Sequence, residues 1–152
     1  MTQFATYSDL LAAITDDAGR DILNPATGEV VGHAPEGTVE DLNAAVETAR
    51  TAQKDFAKLS DAERCELLTK AAAAVDANAE ALVELLSREQ GKPLNGPNAR
   101  FEVGACSGWL NATAAFEHPN YTAVDDDITA TVDYRPLGVV GAIGPWNWPM
   151  MI

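Results

Sequence analysis

Along most of the chain apolar residues recur three and four places apart, and after Asp127 they recur every second place. The first spacing lines one face of a helix, the second one face of a strand. Ser8 to Thr15 is predicted as a short helix capped by Ser8. From Asp21 to Pro35 the turn residues NPATGE separate the apolar pairs Ile22–Leu23 and Val30–Val31, which predicts a hairpin. Thr38 opens a longer helix, with Asp41 in the reciprocal capping position and Leu42, Ala45, Val46, Ala49, Phe56 and Leu59 at helical spacing. Ser60 and Glu63 repeat the device ahead of Leu67, Leu68, Ala71, Val75, Leu82, Leu85 and Leu86. Asp76 to Asn78 is expected to divide that stretch, because short polar side chains compete for backbone hydrogen bonds. Gly91, with Pro93 just beyond, ends it.

Pro97 starts another helix, running to about Glu117. Gly104, Gly108 and Ala112 recur on it every four residues and leave a groove flanked by Trp109 and Phe116. Such a groove admits a neighbouring backbone, and helix packing inside a core is the expected use. Ile128, Ala130, Val132 and Tyr134 then alternate with Thr129, Thr131 and Asp133, a strand with one wet face. Leu137 to Ile143 is a continuous apolar run, the mark of a strand buried on both faces. A helix-rich front therefore leads into a first strand of an α/β sheet.

Composition narrows the function. With 47% hydrophobic and 22% charged residues, the 152-residue chain is that of a globular protein with one core. A formal charge of −13 argues against nucleic acid and anionic membranes as partners. Asp125, Asp126 and Asp127 form the one tight run of that charge, which otherwise serves solubility. Cys65 and Cys106 do not make a disulfide framework, and a reducing cytoplasmic setting is expected. The first residues, MTQFATYSDLLAAITDD, lack the basic and long apolar regions of a signal peptide.

The chemistry gathers in the apolar ending, LGVVGAIGPWNWPMMI. A frayed tail of this composition buries nothing, so either the segment is held inside something or the sequence is the front piece of a longer chain. In open α/β sheets ligands bind beyond the carboxyl ends of the strands, where the turn from Gly144 to Pro149 would stand. Glycines 138, 141 and 144 are three apart and do not form a dinucleotide fingerprint. Pro145 and Pro149 stiffen the turn from either side. Asn147 is its one polar side chain, either a structural turn residue or a donor to an oxygen that gains negative charge in a reaction.

NPATGEV near the start, EQGKP at 89–93 and YRPLGVVGAIGPWNWP at 134–149 resemble, in order and spacing, the opening of an NAD(P)-dependent aldehyde dehydrogenase. Trp148 stands where many members have Phe. The resemblance implies the helix-rich N-terminal portion of that family's α/β cofactor-binding domain, ending in a first sheet strand. It divides into an arm and hairpin (1–36), a helical layer (38–118) and strands with the oxyanion turn (128–152). Asn147 matches the oxyanion-hole asparagine. Ile143, Gly144, Pro145 and Trp146 match the strand end lining the cleft for NAD or NADP. Glu89 falls where some members help bind a monovalent cation, but no metal site is assigned. The strand from Ile128 to Tyr134 matches one that joins subunits, which implies a homo-oligomer.

The resemblance also implies a nucleophilic cysteine, a glutamate base and a glycine-rich cofactor turn, all expected after this stretch. Cys65 and Cys106 lie in helices and in no matching motif, and His33 and His118 have no partner at recognisable spacing, so all four read as structural. The implied activity is oxidation of an aldehyde to a carboxylic acid through a cysteine thiohemiacetal, with this chain inactive alone. The alternative is a non-catalytic interaction module of helices and an open strand edge.

Overall fold

The computed structural model describes residues 2–119, 121–125 and 127–152. Asp126, the centre of the acidic run, lies outside the described residues. The elements follow in the order α1 (Tyr7–Ile14), β1 (Arg20–Leu23), β2 (Val30–Ala34), α2 (Val39–Phe56), α3 (Asp61–Ala77), α4 (Ala79–Gln90), α5 (Ala99–Ala114), β3 (Tyr121–Asp125) and β4 (Ile128–Val132).

Local chemistry sets most of these boundaries. Thr38 and Asp41 form a full capping box on α2, and Ser60 and Glu63 form one on α3. The same device places the start of α1 at Thr6 rather than at Ser8, because Thr6 and Asp9 supply both reciprocal hydrogen bonds. Asn78 separates α3 from α4. Its carboxamide oxygen accepts from the Phe4 backbone N–H at 2.7 Å, and its NH₂ donates to the Ala74 carbonyl at 2.8 Å and the Thr2 carbonyl at 3.3 Å. One side chain thus ends a helix and ties down the amino-terminal arm. Gly91 ends α4 at φ 69°, the left-handed conformation that glycine adopts without strain. Helix α5 begins at Ala99, two residues after Pro97, and stops at Ala114, short of the expected Glu117.

Strands β1 and β2 pair antiparallel, with Asp21 opposite His33, and Asn24 to Glu29 make the connecting turn. The core is small and lies between helices. Val83, Leu86, Ala99 and Val103 form one buried cluster, joined by Val75, Ala79, Leu82 and Met150. Leu10, Ala81 and Leu85 form a second under Phe4, Tyr7, Leu11 and Val31. The buried residues of α5, Ala99, Glu102, Val103 and Ser107, keep helical spacing on one face.

Three expectations of burial are corrected. The groove of Gly104 and Gly108 is open: a Cβ at either would meet nothing within 4 Å, and the flanking Trp109 and Phe116 are exposed. The strand from Ile128 ends at Val132 and pairs with β3, which the alternation did not announce; Ile128 and Val124, on opposite faces of this two-stranded ribbon, are both exposed. Leu137 to Ile143 is extended without a strand partner among the described residues, and Leu137 and Ile143 are exposed. A strand is defined by the ladder it joins, so an apolar run with no neighbour to bond cannot become one. Helix α2 buries no residue; its apolar stripe, Leu42, Ala45, Val46 and Ala49, shares an open hollow with Val139 and Val140.

Candidate active site

The three sequence blocks meet in space. A Cβ on Gly91 would stand 2.7 Å from Cγ of Pro25, so the EQGKP turn lies directly against the NPATGEV turn. From the same EQGKP turn, the Gln90 side chain donates to the Trp146 carbonyl at 3.2 Å and the Lys92 ammonium to the Asn147 carbonyl at 2.6 Å. Residues far apart in sequence therefore form one continuous scaffold under the Pro145–Pro149 corner.

Beneath that corner lies Glu102, with no exposed surface at all. One carboxylate oxygen accepts the backbone N–H groups of Met150, at 2.9 Å, and Met151, at 3.4 Å. Its other oxygen is paired with the Lys92 ammonium. A buried carboxylate is tolerable only when charge and lone pairs are both answered, and removing one partner of such a pair typically costs roughly 3–5 kcal/mol. Lys92 also stands 4.6 Å from the centre of the Trp148 ring, which packs edge-on against Phe101 at 6.0 Å. The Ile152 N–H reaches the Trp148 carbonyl at 3.3 Å, closing a helical turn after Pro149.

Held from below in this way, the corner turns its chemistry outward. Asn147 is exposed, and among the described residues its carboxamide takes part in no hydrogen bond; only its backbone carbonyl is engaged. Its NH₂ is a free donor on a backbone fixed by neighbouring contacts. Ile143 and Trp146 are exposed, Pro145 is half-buried, and a Cβ on Gly144 would meet only the Pro149 carbonyl oxygen, at 3.8 Å. Residues 143–146 thus offer an apolar strip beside the amide.

The remaining titratable groups are arranged differently. Burial and then the charge of Glu102 push the Cys106 thiol upward, away from the thiolate a nucleophile needs. Cys65 lines a hollow with Phe56, Leu68, Phe116 and His118. His118 packs between Phe116, at 5.3 Å, and Tyr134, at 4.8 Å. His33 does have a carboxylate partner, contrary to the spacing argument: Nε2 lies 3.3 Å from Asp21 across the hairpin, a pairing set by strand register. Glu89 borders an apolar hollow with Ile22, Val31 and Leu85. Although the residue as a whole is exposed, crowding by neighbouring atoms and the Glu102 charge raise its carboxyl pKa. Among the described residues no group of three His, Cys, Asp or Glu side chains could hold a metal ion. No helix among them is long and apolar enough to cross a membrane.

Sequence reasoning singled out Asn147 and its neighbours as candidates but did not single out Glu102 and Lys92, which the structure brings against the same corner. A signal existed for the first. Glu102 shares the apolar face of α5 with Ala99 and Val103, and a carboxylate at such a position requires a buried partner.

The structure is similar to that of the glyceraldehyde-3-phosphate dehydrogenase of Methanocaldococcus jannaschii solved with NADP, with a TM-score of 0.80 and 29% identity over 86% of this chain. The fold is accordingly a helix-rich portion of an α/β cofactor-binding domain. The chain belongs to the aldehyde dehydrogenase family, whose sequence profile matches residues 14–152. It is 34% identical to the NADP(+) succinate-semialdehyde dehydrogenase 2 of Schizosaccharomyces pombe over 83% of its length, and 35% identical to the non-phosphorylating aspartate-semialdehyde dehydrogenase of Halomonas elongata over 88%. It spans 26% and 28% of those two relatives and 29% of the solved structure.

Proposed function

We propose that this chain is the leading part of an NAD(P)-dependent enzyme that oxidises an aldehyde to a carboxylic acid, and that Asn147 is its oxyanion donor. The observation that carries the reading is the Asn147 carboxamide, exposed and without a hydrogen-bond partner among the described residues, on a corner fixed by Pro145, Pro149, Lys92 and Glu102. When a thiolate adds to the aldehyde carbon, the carbonyl oxygen takes up negative charge. An NH₂ already oriented stabilises that charge without reorganising at the moment of reaction. The thiohemiacetal cysteine and the deacylating glutamate belong, in this reading, to residues beyond Ile152. Cys65 and Cys106 are structural, as the raised pKa of Cys106 supports.

NAD or NADP supplies the hydride acceptor when bound. The exposed Ile143 and Trp146 and the side-chain-free Gly144 suit a flat heterocycle and its ribose, since they offer apolar surface and close backbone approach. The bare stripe of α2 and the unpaired run from Leu137 to Ile143 support a sheet formed with later residues, and the uncovered β3–β4 ribbon supports assembly into a homo-oligomer. A cytoplasmic setting suits the free cysteines.

The test uses the full-length protein that carries this chain. With an aldehyde panel that includes short semialdehydes, wild type should reduce NAD+ or NADP+, and Asn147→Ala should lower kcat by on the order of a hundredfold to a thousandfold. Unchanged turnover in the variant removes the oxyanion role. A second reading, an interaction module without catalysis, draws on the open β3–β4 edge. It requires a complex on size exclusion together with no aldehyde-dependent turnover in the full-length protein.

A further inference from the structure

We propose that Lys92 and Glu102 are positioning residues for Asn147, acting as a two-part clamp on the corner that carries its amide; this rests on the oxyanion reading above. The clamp closes in a ring. Lys92 donates to the Asn147 carbonyl at 2.6 Å and pairs with Glu102, and Glu102 accepts from the backbone N–H groups of Met150 and Met151. The stretch from Asn147 to Met151 is thereby fixed at its far end to the buried carboxylate directly and at its near end through the Lys92 ammonium that pairs with it. Neither residue has an open path to a reacting atom: Glu102 is fully buried, and Lys92 is committed to a carboxylate, a carbonyl and the Trp148 ring.

The arrangement asks more of Glu102 than packing does. An apolar residue of similar volume would fill the same space among Ala99, Val103 and Met150 without a desolvated charge. What it could not do is hold two successive backbone N–H groups while orienting an ammonium toward the carbonyl three residues upstream of Met150. The geometry serves orientation, and orientation of a donor matters most when charge develops on its partner.

The experiment again uses the full-length protein. In Lys92→Met, kcat should fall by about tenfold to a hundredfold, with the Kd for the nicotinamide cofactor changed by less than about twofold. Hydrogen exchange of the peptide spanning 146–152 should quicken while that of the β1–β2 hairpin stays as in wild type. Lys92→Arg, which keeps the charge, should recover most of kcat. Glu102→Gln carries the same expectations, since its amide oxygen still accepts from Met150 but no longer pairs with an ion. An unchanged kcat overturns the proposal, and so does a lower kcat without faster exchange at 146–152. Failure of both Lys92→Met and Glu102→Gln to fold assigns the pair to stability alone and overturns it too. If wild type shows no aldehyde-dependent reduction, or Asn147→Ala is fully active, the oxyanion reading fails, while the exchange measurement still reports on the clamp.

Discussion

Pro25 in the hairpin turn packs against Gly91 at the end of α4, leaving no room there for a side chain. The glycine also sits at φ 69°. Gly91→Ala therefore meets two obstacles, an unfavourable backbone conformation and a Cβ placed 2.7 Å from the proline ring. It should lower stability by about 1–3 kcal/mol, read from thermal or urea unfolding of the full-length protein. Adding Pro25→Ala, which removes Cγ, should return part of the loss; strict additivity of the two changes would show that the contact is not felt.

Acid sensitivity follows from the helix caps. Hydrogen bonds from the Thr38 backbone and hydroxyl hold the Asp41 carboxyl below its ordinary range, and those from Ser60 do the same for Glu63. A carboxylate whose folded pKa is depressed contributes stability that is present above its unfolded pKa and lost as the pH falls through the lower folded value. Unfolding should thus become easier on acidification below the ordinary carboxylate range. Asp41→Asn with Glu63→Gln should flatten that acid limb and lower stability at neutral pH. An acid limb of unchanged steepness in the double variant contradicts this account.

Cys106 should alkylate slowly. Burial and the nearby Glu102 charge raise its pKa, so its thiolate forms at higher pH than that of a free cysteine. Peptide mapping after iodoacetamide treatment across a pH series should show its labelling curve displaced upward relative to a free thiol standard. Rapid labelling at neutral pH would reopen a chemical role for it.

The purified 152-residue chain should show no aldehyde-dependent reduction of NAD+ or NADP+. In the reading proposed above, the Asn147 amide stabilises charge that develops only when a nucleophile from another part of the protein attacks the aldehyde, and neither Cys65 nor Cys106 is that nucleophile. Measurable turnover, followed by absorbance of the reduced nicotinamide, would overturn the division of labour proposed for Asn147.

Those expectations show where sequence reading succeeds. Capping boxes were legible because donor and acceptor lie three residues apart, so Thr38 with Asp41 and Ser60 with Glu63 needed no tertiary information. The division at Asn78 and the stop at Gly91 were legible for the same local reason. Burial was not. Trp109 flanks a groove and Leu137 and Ile143 bound a continuous apolar run, but an apolar pattern says what wants cover and not what covers it. Pairing across distance was also hidden: His33 with Asp21 depends on strand register, and Glu102 with Lys92 on how α5 lies over the end of α4. Asn147 could be singled out from its polar isolation and the family motif, whereas the residues that hold it could not.

The amide at the break between α3 and α4 has a mechanical consequence. Asn78 ends one helix with the same side chain that grips Phe4 and Thr2, and Phe4 helps roof the cluster under α1. The joint and the strap across it therefore share a single rivet. Anything that peels the strap away also loosens the hinge, and bending there would carry α4 and the glycine turn at its far end out of register with the hairpin.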